Sequence, residues 1–260
     1  MFTKNELSAQ MQQMGLHSSD TVLIHTSMRA VGAVEGGADG LLDAFCEYLH
    51  DGLFLVPTHT WLSVNSAHPV YDVRSSVPCT GIVSVRAAAR QDGFRSLHPT
   101  HSMWGFGAEA KAFLQGEENA GSPCPPGFCW DRLGDRGAKI LLIGVKHNRD
   151  TFLHSVDERA GLPDRLGEAF SVTIVDSSGE KRQSSIRPHF CSRAEDVSAY
   201  YVNFEEPFVR TGIQSFGRLG NAEVRILDAA AARELVLKAY ARGNEAQFLR
   251  YGTIPEELYR

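Results

Sequence analysis

Apolar runs separated by polar or glycine-rich segments set the order of elements along the chain. Residues 20–25, 53–58 and 139–145 are short runs rich in Val, Leu, Ile and Phe, which is typical of strands buried on both faces of a sheet. Residues 38–49 have helical periodicity, and residues 1–16 form a charged amphipathic helix. A strand, helix, strand order favours a parallel crossover. The sequence therefore predicts an α/β fold with a mixed, largely parallel central sheet flanked by helices.

The pattern changes after the third apolar run. Alternation over 170–176, followed by a turn and a return over 181–186, predicts a β-hairpin. The whole chain is expected to form one domain, with 170–260 as a closely packed C-terminal hairpin and helical portion. Further elements are predicted there as helices over 191–204 and 229–242 and a turn leading into a strand over 217–227.

Connections rich in Ser, His, Asn and Pro separate these elements, and long connections of this kind are commonly functional. The connection after the second strand is irregular, and the helix predicted next, over 81–90, has Thr80 as its N-cap. Residues 94–105 hold His98 and His101 beside serine, threonine and proline. They predict a polar loop at the edge of a site.

The segment 139–159 joins a buried strand, a short polar loop and a helix that carries His154 near its start. Asp157 follows this histidine by three residues and Glu158 by four, so either carboxylate can share its helix face. An imidazole that is oriented by a carboxylate and lies just past the end of a central strand is a candidate general base. A pairing that only stabilises the start of the helix explains the same spacing.

The first strand leads into a glycine-containing loop, 31–37, and then into a helix. This arrangement offers free backbone N–H groups to a phosphate or another anion. The alternative is a flexible connection, because the loop matches neither of the common phosphate-binding glycine motifs.

Composition matches an ordinary soluble protein, with 43% hydrophobic and 22% charged residues. A net charge of -5 argues against a nucleic-acid partner and allows a cationic small substrate. No run is long enough to span a membrane, and the N-terminus lacks the apolar centre of a signal peptide, so we expect no membrane partner and a cytoplasmic location. The five cysteines share no C-x-x-C spacing and predict neither a disulfide framework nor a zinc site, although Cys124 or Cys129 is conceivable as a nucleophile.

Four stretches resemble the aminoglycoside 3-N-acetyltransferase family, acetyl-CoA enzymes that differ in fold from the GNAT acetyltransferases. They occur in the expected order and together span nearly all of the chain, so the chain is identified as a member. The stretches are HTSMRAVGAVEGG at 25–37, RSLHPTHSMWGFG at 95–107, ILLIGV followed by TFLHSVDERAGLP at 140–163, and GRLGNAEVRILDA at 217–229.

The resemblance implies acetyl-CoA as co-substrate and no metal. It implies that pantetheine and pyrophosphate bind to backbone groups of the 25–37 loop and of the helix start that follows. The cofactor-binding residues are then Ser27, Met28, Arg29, Val34, Glu35, Gly36, Gly37, Thr80, His98, His101 and Ser102.

The resemblance also implies direct acetyl transfer to an amine in a ternary complex, with His154 as the general base. Asp157 occupies the position of the family's glutamate and is one methylene shorter, so either Asp157 or Glu158 orients the imidazole. Ser102, together with backbone N–H groups near 25–29, is the expected donor to the oxyanion.

The implied acceptor is an aminoglycoside or related amino sugar, with His189 and Trp61 as substrate-binding residues. Residues 186–193 contain Arg187 and Arg193, whereas relatives that take aminoglycosides tend to be acidic there. Arginines facing a polycation would repel it, so the resemblance supports amine acetylation more firmly than an antibiotic acceptor.

Two alternative functions stay open at this point. One is a metal-dependent hydrolase that uses His98 and His101 with His59, His154 or Asp157. A second is a non-catalytic binding protein that has kept the family fold. Oligomeric state is also open, and a homodimer is compatible with the sequence.

Overall fold

The computed structural model describes residues 1–243 and 254–260. Its strands are β1 (Thr21–Thr26), β2 (Leu53–Pro57), β3 (Val70–Asp72), β4 (Phe94–Arg95), β5 (Met103–Phe106), β6 (Lys139–Ile143), β7 (Phe170–Val175), β8 (Lys181–Ile186), β9 (Gln214–Leu219) and β10 (Ala222–Asp228). Its α-helices are α1 (Lys4–Gln13), α2 (Met28–Val31), α3 (Gly37–Tyr48), α4 (Ile82–Ala89), α5 (Ala110–Leu114), α6 (Cys129–Asp135), α7 (Thr151–Arg159), α8 (Glu205–Arg210), α9 (Ala229–Arg242) and a short helix, Glu256–Tyr259. Three-residue-per-turn helices occur at Glu117–Asn119, His147–Arg149 and Val197–Phe204.

The large sheet has seven strands in the order β4-β5-β2-β1-β6-β10-β9. Strands β2, β1 and β6 run parallel, whereas β5 pairs antiparallel with β2, and β10 pairs antiparallel with β6. The mixed α/β fold is confirmed. Within this sheet, parallel pairing is confined to the three central strands, so the sheet is less parallel than the sequence predicted. The carboxyl ends of these three strands therefore meet at one edge of the sheet.

Successive residues of the central strands enter two different cores. On β6, Ile140 and Leu142 pack against α6, α7 and α9, whereas Leu141 and Ile143 pack against α1 and α3. No face of this strand reaches water, which is why its sequence is apolar at consecutive positions instead of alternating. Each of these side chains contributes roughly 1.5–3 kcal/mol through burial.

The predicted hairpin is present as β7 and β8, but it belongs to a second sheet of three strands, ordered β3-β7-β8. Strand β3 comes from the connection after β2 and pairs parallel with β7. The Tyr71 hydroxyl in β3 donates to the carbonyl oxygen of Ser96 at 2.9 Å, and Arg95 donates to Val73 and Ser76. These contacts tie the small sheet to the loop that follows β4.

Two predicted element boundaries were wrong in the C-terminal portion. Of the helix predicted over 191–204, only Val197–Phe204 is helical, because the Asp164 carboxylate accepts hydrogen bonds from the backbone N–H and the hydroxyl of Ser192 and holds residues 192–193 in a turn. Gly217 does not form a turn, since it lies within β9, and the turn to β10 is at Gly220, which has a φ of 59°.

The predicted N-cap at Thr80 was also wrong. Helix α4 has Gly81 at its N-cap, and the Thr80 hydroxyl donates to Ser84 Oγ at 2.8 Å. A φ of 103° at Gly81 starts the helix one residue later than the sequence pattern indicates. Within the described ranges, no helix has the length and apolar content needed to cross a bilayer.

Gly144 and Gly161 offer a matched test of packing at the edge of the sheet. Both have left-handed φ values, 66° and 63°, but only at Gly144 would a Cβ meet a close neighbour, Ala30 Cβ at 2.3 Å. Each change to alanine should cost about 1–2 kcal/mol through its backbone conformation. We expect Gly144→Ala to lose about 1–3 kcal/mol more than Gly161→Ala, measured by urea unfolding. Equal midpoints for the two variants would contradict this packing.

Candidate active site

A cleft of about 950 Å³ opens where the carboxyl ends of β1, β2 and β6 meet. Ligand sites in α/β sheets usually lie at this edge. Side chains from both sheets form its walls, including His25, Thr26, Ser27, His59, Trp61, Thr80, His101, Asp150, His154, His189, Phe190, Glu195 and Asp196.

His154 projects from the first turn of α7, three residues after the helix begins at Thr151. Its ring stacks on the His189 ring, with centroids 3.9 Å apart and planes inclined by 26°. An isolated antiparallel bridge between Leu166 and His189 holds the second histidine in place. The two rings thus come from segments that precede and follow the hairpin β7–β8 along the chain.

Asp157 does not contact His154 directly. The Tyr201 hydroxyl oxygen lies 2.9 Å from His154 Nδ1 and 2.7 Å from Asp157 Oδ2. Asp157 also accepts hydrogen bonds from the Tyr240 hydroxyl at 2.7 Å and from Arg165 Nε at 2.9 Å. Asp157 therefore reaches the imidazole only through Tyr201.

Glu158 is turned away from His154, so the prediction that it orients the imidazole is wrong in this structure. Its carboxylate accepts hydrogen bonds from the Ser122 hydroxyl and, at 2.8 Å, from the backbone N–H of Cys124. Burial raises the pKa of Glu158 to about 7, while the bonds from Ser122 and Cys124 lower it. Glu158 thus connects α7 to the proline-rich loop before α6.

Burial keeps the site histidines neutral. It lowers the pKa of His154 to about 3, with the positive charge of Arg165 acting in the same direction. It also lowers the pKa of His25 to about 4, and holds the pKa values of His59 and His189 well below the usual 6.5. The His154 imidazole is consequently unprotonated at neutral pH and able to accept a proton.

His98 is a structural residue in the interior, although the stretch around it was predicted to be a polar loop. Its Nδ1 accepts from the backbone N–H of His101 at 2.9 Å and of Thr100 at 3.2 Å, so its Nε2 carries the proton and donates to Ser122 O at 3.0 Å. With both ring nitrogens engaged, the predicted roles of His98 in cofactor or metal binding are wrong. Over residues 1–243 and 254–260, no group of three or more His, Cys, Asp or Glu is arranged to hold a metal.

Ser102 is also buried and away from the cleft wall. Its hydroxyl donates to the carbonyl oxygen of Thr58 at 2.7 Å and lies 2.8 Å from the Thr58 hydroxyl. The predictions that Ser102 stabilises the oxyanion and contacts the cofactor are therefore wrong in this structure. His101, from the same stretch, does line the cleft.

Only Ser27 of the predicted residues in the 27–37 loop lines the cleft. Its hydroxyl accepts from Ala30 N, and its own N–H donates to the last residue of β6. Met28 and Val34 pack in the core beside α3. The remaining residues named for cofactor binding in this loop are solvent-exposed outside the wall: Arg29, Glu35, Gly36 and Gly37.

Acidic side chains outnumber basic ones on the cleft wall. Asp150, Glu195 and Asp196 line it, with Arg149 as a basic neighbour. The arginines of the 186–193 segment face elsewhere. Arg187 donates to the carbonyl oxygens of Leu166 and Gly167, and Arg193 lies 3.8 Å from Asp164. The expected like-charge repulsion of a polycation by these arginines is therefore wrong.

Sequence reasoning missed the residues that hold Asp157. Tyr201, Arg165 and Tyr240 lie 44, 8 and 83 positions away from it along the chain. No local spacing identifies such partners. Asp150 was detectable in principle, because it follows the carboxyl end of a predicted central strand.

Known proteins of one family resemble this chain over most of its length. The family model described as aminoglycoside 3-N-acetyltransferase matches residues 23–241. The chain belongs to the aminoglycoside 3-N-acetyltransferase family. It is accordingly an N-acetyltransferase.

Curated relatives and solved structures of aminoglycoside acetyltransferases match most of the chain. Aminoglycoside N(3)-acetyltransferase IV of Salmonella sp is 30% identical over 242 residues, which are 91% of this chain and 85% of that protein. Aminoglycoside N(3)-acetyltransferase VIII of Streptomyces fradiae is 27% identical over 254 residues, 88% of each chain. AAC-VIa bound to sisomicin has a TM-score of 0.81 at 22% identity and covers 95% of this chain and 98% of that one. AAC-IIIb with CoASH has a TM-score of 0.76 at 21% identity, covering 89% and 93%. The two structures confirm the fold.

The neutral histidines predict acid sensitivity. Their folded-state pKa values lie below the unfolded value of about 6.5, so the unfolded chain binds more protons as the pH falls through that value. Stability should decrease between pH 7.5 and 5.5, by up to about 1.4 kcal/mol per pH unit for each such histidine. Urea unfolding at several pH values measures this slope, and a midpoint that does not move over this range would contradict it. The residues concerned are His25, His59, His98, His101, His154 and His189.

Proposed function

We propose that the protein transfers the acetyl group of acetyl-CoA to an amine of an aminoglycoside or related amino sugar, by direct attack in a ternary complex. The observation that carries the proposal is the neutral His154 imidazole on the cleft wall, with Nδ1 engaged by Tyr201. Membership of the family supports the reaction class. Structures of relatives with CoASH and with sisomicin support the two ligands.

His154 acts as the general base in this mechanism. The unprotonated amine nitrogen bonds to the acetyl carbonyl carbon while the imidazole accepts one of its protons. Collapse of the tetrahedral intermediate breaks the carbon–sulfur bond, and the proton passes from His154 to the departing thiolate. The products are an acetamide and coenzyme A thiol.

No cysteine takes part in this mechanism. Burial raises the pKa of the Cys124 and Cys129 thiols well above the ordinary value, so neither is an activated nucleophile. Direct attack on the thioester by the amine needs no acetyl-enzyme.

We assign the acetyl-CoA side of the cleft to Ser27, Thr80 and His101, which line it. Several buried ring nitrogens have no hydrogen-bond partner in the described part of the chain, namely Nε2 of His25, His59 and His189. Buried polar atoms are normally satisfied, so a polar ligand or water in the cleft is expected to bond to them. Backbone N–H groups near 25–29 remain the proposed oxyanion donors.

The acceptor side is assigned to Trp61 and His189 together with the acids Asp150, Glu195 and Asp196. A wall with three carboxylates and one arginine attracts a cationic amine over a neutral or anionic one. This electrostatic balance supports an aminoglycoside or amino sugar as the acceptor class.

Replacing His154 by Ala tests the base. We expect turnover to fall by roughly two to four orders of magnitude, since the amine then has no positioned proton acceptor. Thiol release from acetyl-CoA with a panel of aminoglycosides measures it, and coenzyme A binding should persist. A His17→Ala control, at an exposed site, should keep full turnover. The proposal would be contradicted by an active His154→Ala enzyme, or by a parent protein that releases no thiol with any amine.

Replacing Glu195 by Gln tests the acceptor side. Glu195 is exposed on the cleft wall, so its loss should raise the KM for a polycationic aminoglycoside about 2- to 10-fold and leave the KM for acetyl-CoA unchanged. The effect should shrink as salt is added. Glu180→Gln, in the exposed turn between β7 and β8, is the matched control. An unchanged acceptor KM in Glu195→Gln would remove this residue from the acceptor site.

A further inference from the structure

Among the residues that the structure describes, no carboxylate contacts the His154 ring, although the proposed function needs one ring nitrogen held as a proton acceptor. Tyr201 occupies the position between the imidazole and the buried Asp157. The hydroxyl lies within hydrogen-bond distance of both, at 2.9 Å and 2.7 Å. A tyrosine hydroxyl has one proton, so only one of these two contacts can use it.

Asp157 determines which atom donates and which accepts in these two hydrogen bonds. Arg165 pairs with Asp157, and the two side chains are only 4% and 1% exposed. Burial raises the pKa of Asp157, while the Arg165 guanidinium and the hydrogen bonds from Tyr240 and Tyr201 act in the opposite direction. With a guanidinium nitrogen at 2.9 Å and two hydroxyls directed at it, this carboxyl group is surrounded by donors and accepts hydrogen bonds from each of them. The Tyr201 proton is therefore donated to Asp157, and the Tyr201 oxygen is left to accept.

We propose that Tyr201 is a positioning residue, which fixes His154 in the tautomer that carries its proton on Nδ1 and leaves Nε2 as the proton acceptor. His154 Nδ1–H donates to the Tyr201 oxygen, and Tyr201 O–H donates to Asp157. Which ring nitrogen of a histidine is free depends on the bond that the other makes. The catalytic consequence rests on the proposed function, whereas the tautomer does not.

A ring contact and a helix cap both stabilise the position of Tyr201 beside His154. Its ring packs edge-on against the His154 ring, with centroids 4.9 Å apart and planes at 74°. Its helix, Val197–Phe204, is capped by the Asp196 side chain, which accepts from Ser198 N at 2.9 Å. The phenol also bridges the imidazole to Asp157, whose carboxylate is bonded to Arg165 and Tyr240 as well.

A neutral phenol next to the imidazole has a different effect from an adjacent carboxylate. Over residues 1–243 and 254–260, no anion contacts the ring to offset the positive charge that His154 gains during transfer. Burial and the nearby Arg165 disfavour that charge further. The protonated ring is thus a short-lived carrier that readily gives its proton to the leaving thiolate.

The tautomer can be measured on the unaltered protein. Nitrogen-15 NMR of the histidine rings distinguishes a protonated Nδ1 from a protonated Nε2, and the His154 signals are those missing from the His154→Ala spectrum. We expect His154 to carry its proton on Nδ1 at pH 7. In water a neutral imidazole mostly carries it on Nε2, so that result for His154 would overturn the proposal.

Tyr201→Phe and Tyr240→Phe form a matched pair. Each variant removes one tyrosine hydroxyl that donates to Asp157, but only Tyr201 also contacts His154. We expect Tyr201→Phe to release the tautomer toward Nε2–H and to lower kcat about 10- to 100-fold, with the KM for acetyl-CoA unchanged. Tyr240→Phe should keep the tautomer and lose less than about 3-fold in kcat, because the Tyr240 hydroxyl bonds to Asp157 Oδ1 and Tyr201 still bonds to the imidazole.

The outcomes separate the two proposals. Equal losses in both variants with an unchanged His154 tautomer would show a structural role for Tyr201 and overturn the inference. Full activity in His154→Ala would remove the base and leave the tautomer measurement valid. If Tyr201→Phe does not fold, the spectrum of the unaltered protein still decides the question.

Discussion

The buried ion pair between Arg165 and Asp157 is the interaction on which the site depends. Removing two charges from water is costly, and a pair repays that cost only when its remaining hydrogen bonds are satisfied. Here two tyrosine hydroxyls donate hydrogen bonds to the carboxylate of Asp157. The residue next to Arg165, Leu166, forms the β-bridge with His189. One pair thus fixes the helix of His154 and the segment that stacks on it. Its main contribution is to specify this arrangement.

Around that pair the site keeps its histidines neutral by enclosing them. The rings contact one another in series, from His59 to His101, to His189 and to His154. Protonating any one of them would place a charge against polarisable but uncharged neighbours in a medium that solvates it poorly. Two acids of the wall oppose the effect of burial on these rings, since Asp150 raises the pKa of His25 and Asp196 raises that of His189, but burial outweighs both.

The sequence predicted what local pattern can encode. Helix α9 has the predicted bounds, the central strands follow the apolar runs, and His154 lies on the cleft wall as its position after β6 indicated. The interior position of Ser102 and the role of Tyr201 were out of reach, because each depends on a partner more than forty residues away. Glu158 shows the limit of helical spacing. A residue four positions from a histidine shares its face only if nothing nearby, here the loop before α6, binds it first.

The small sheet has a consequence for how acceptor preference can change. Residues 165–191 reach the cleft from the β3-β7-β8 sheet, whereas Ser27 and His154 belong to elements of the seven-stranded sheet and its helices. Substitutions or length changes in that segment can reshape the wall around His189 and Phe190 while the central strands keep their register. Under the proposed function, changes in this segment would therefore alter the acceptor side of the cleft without disturbing the elements that hold His154.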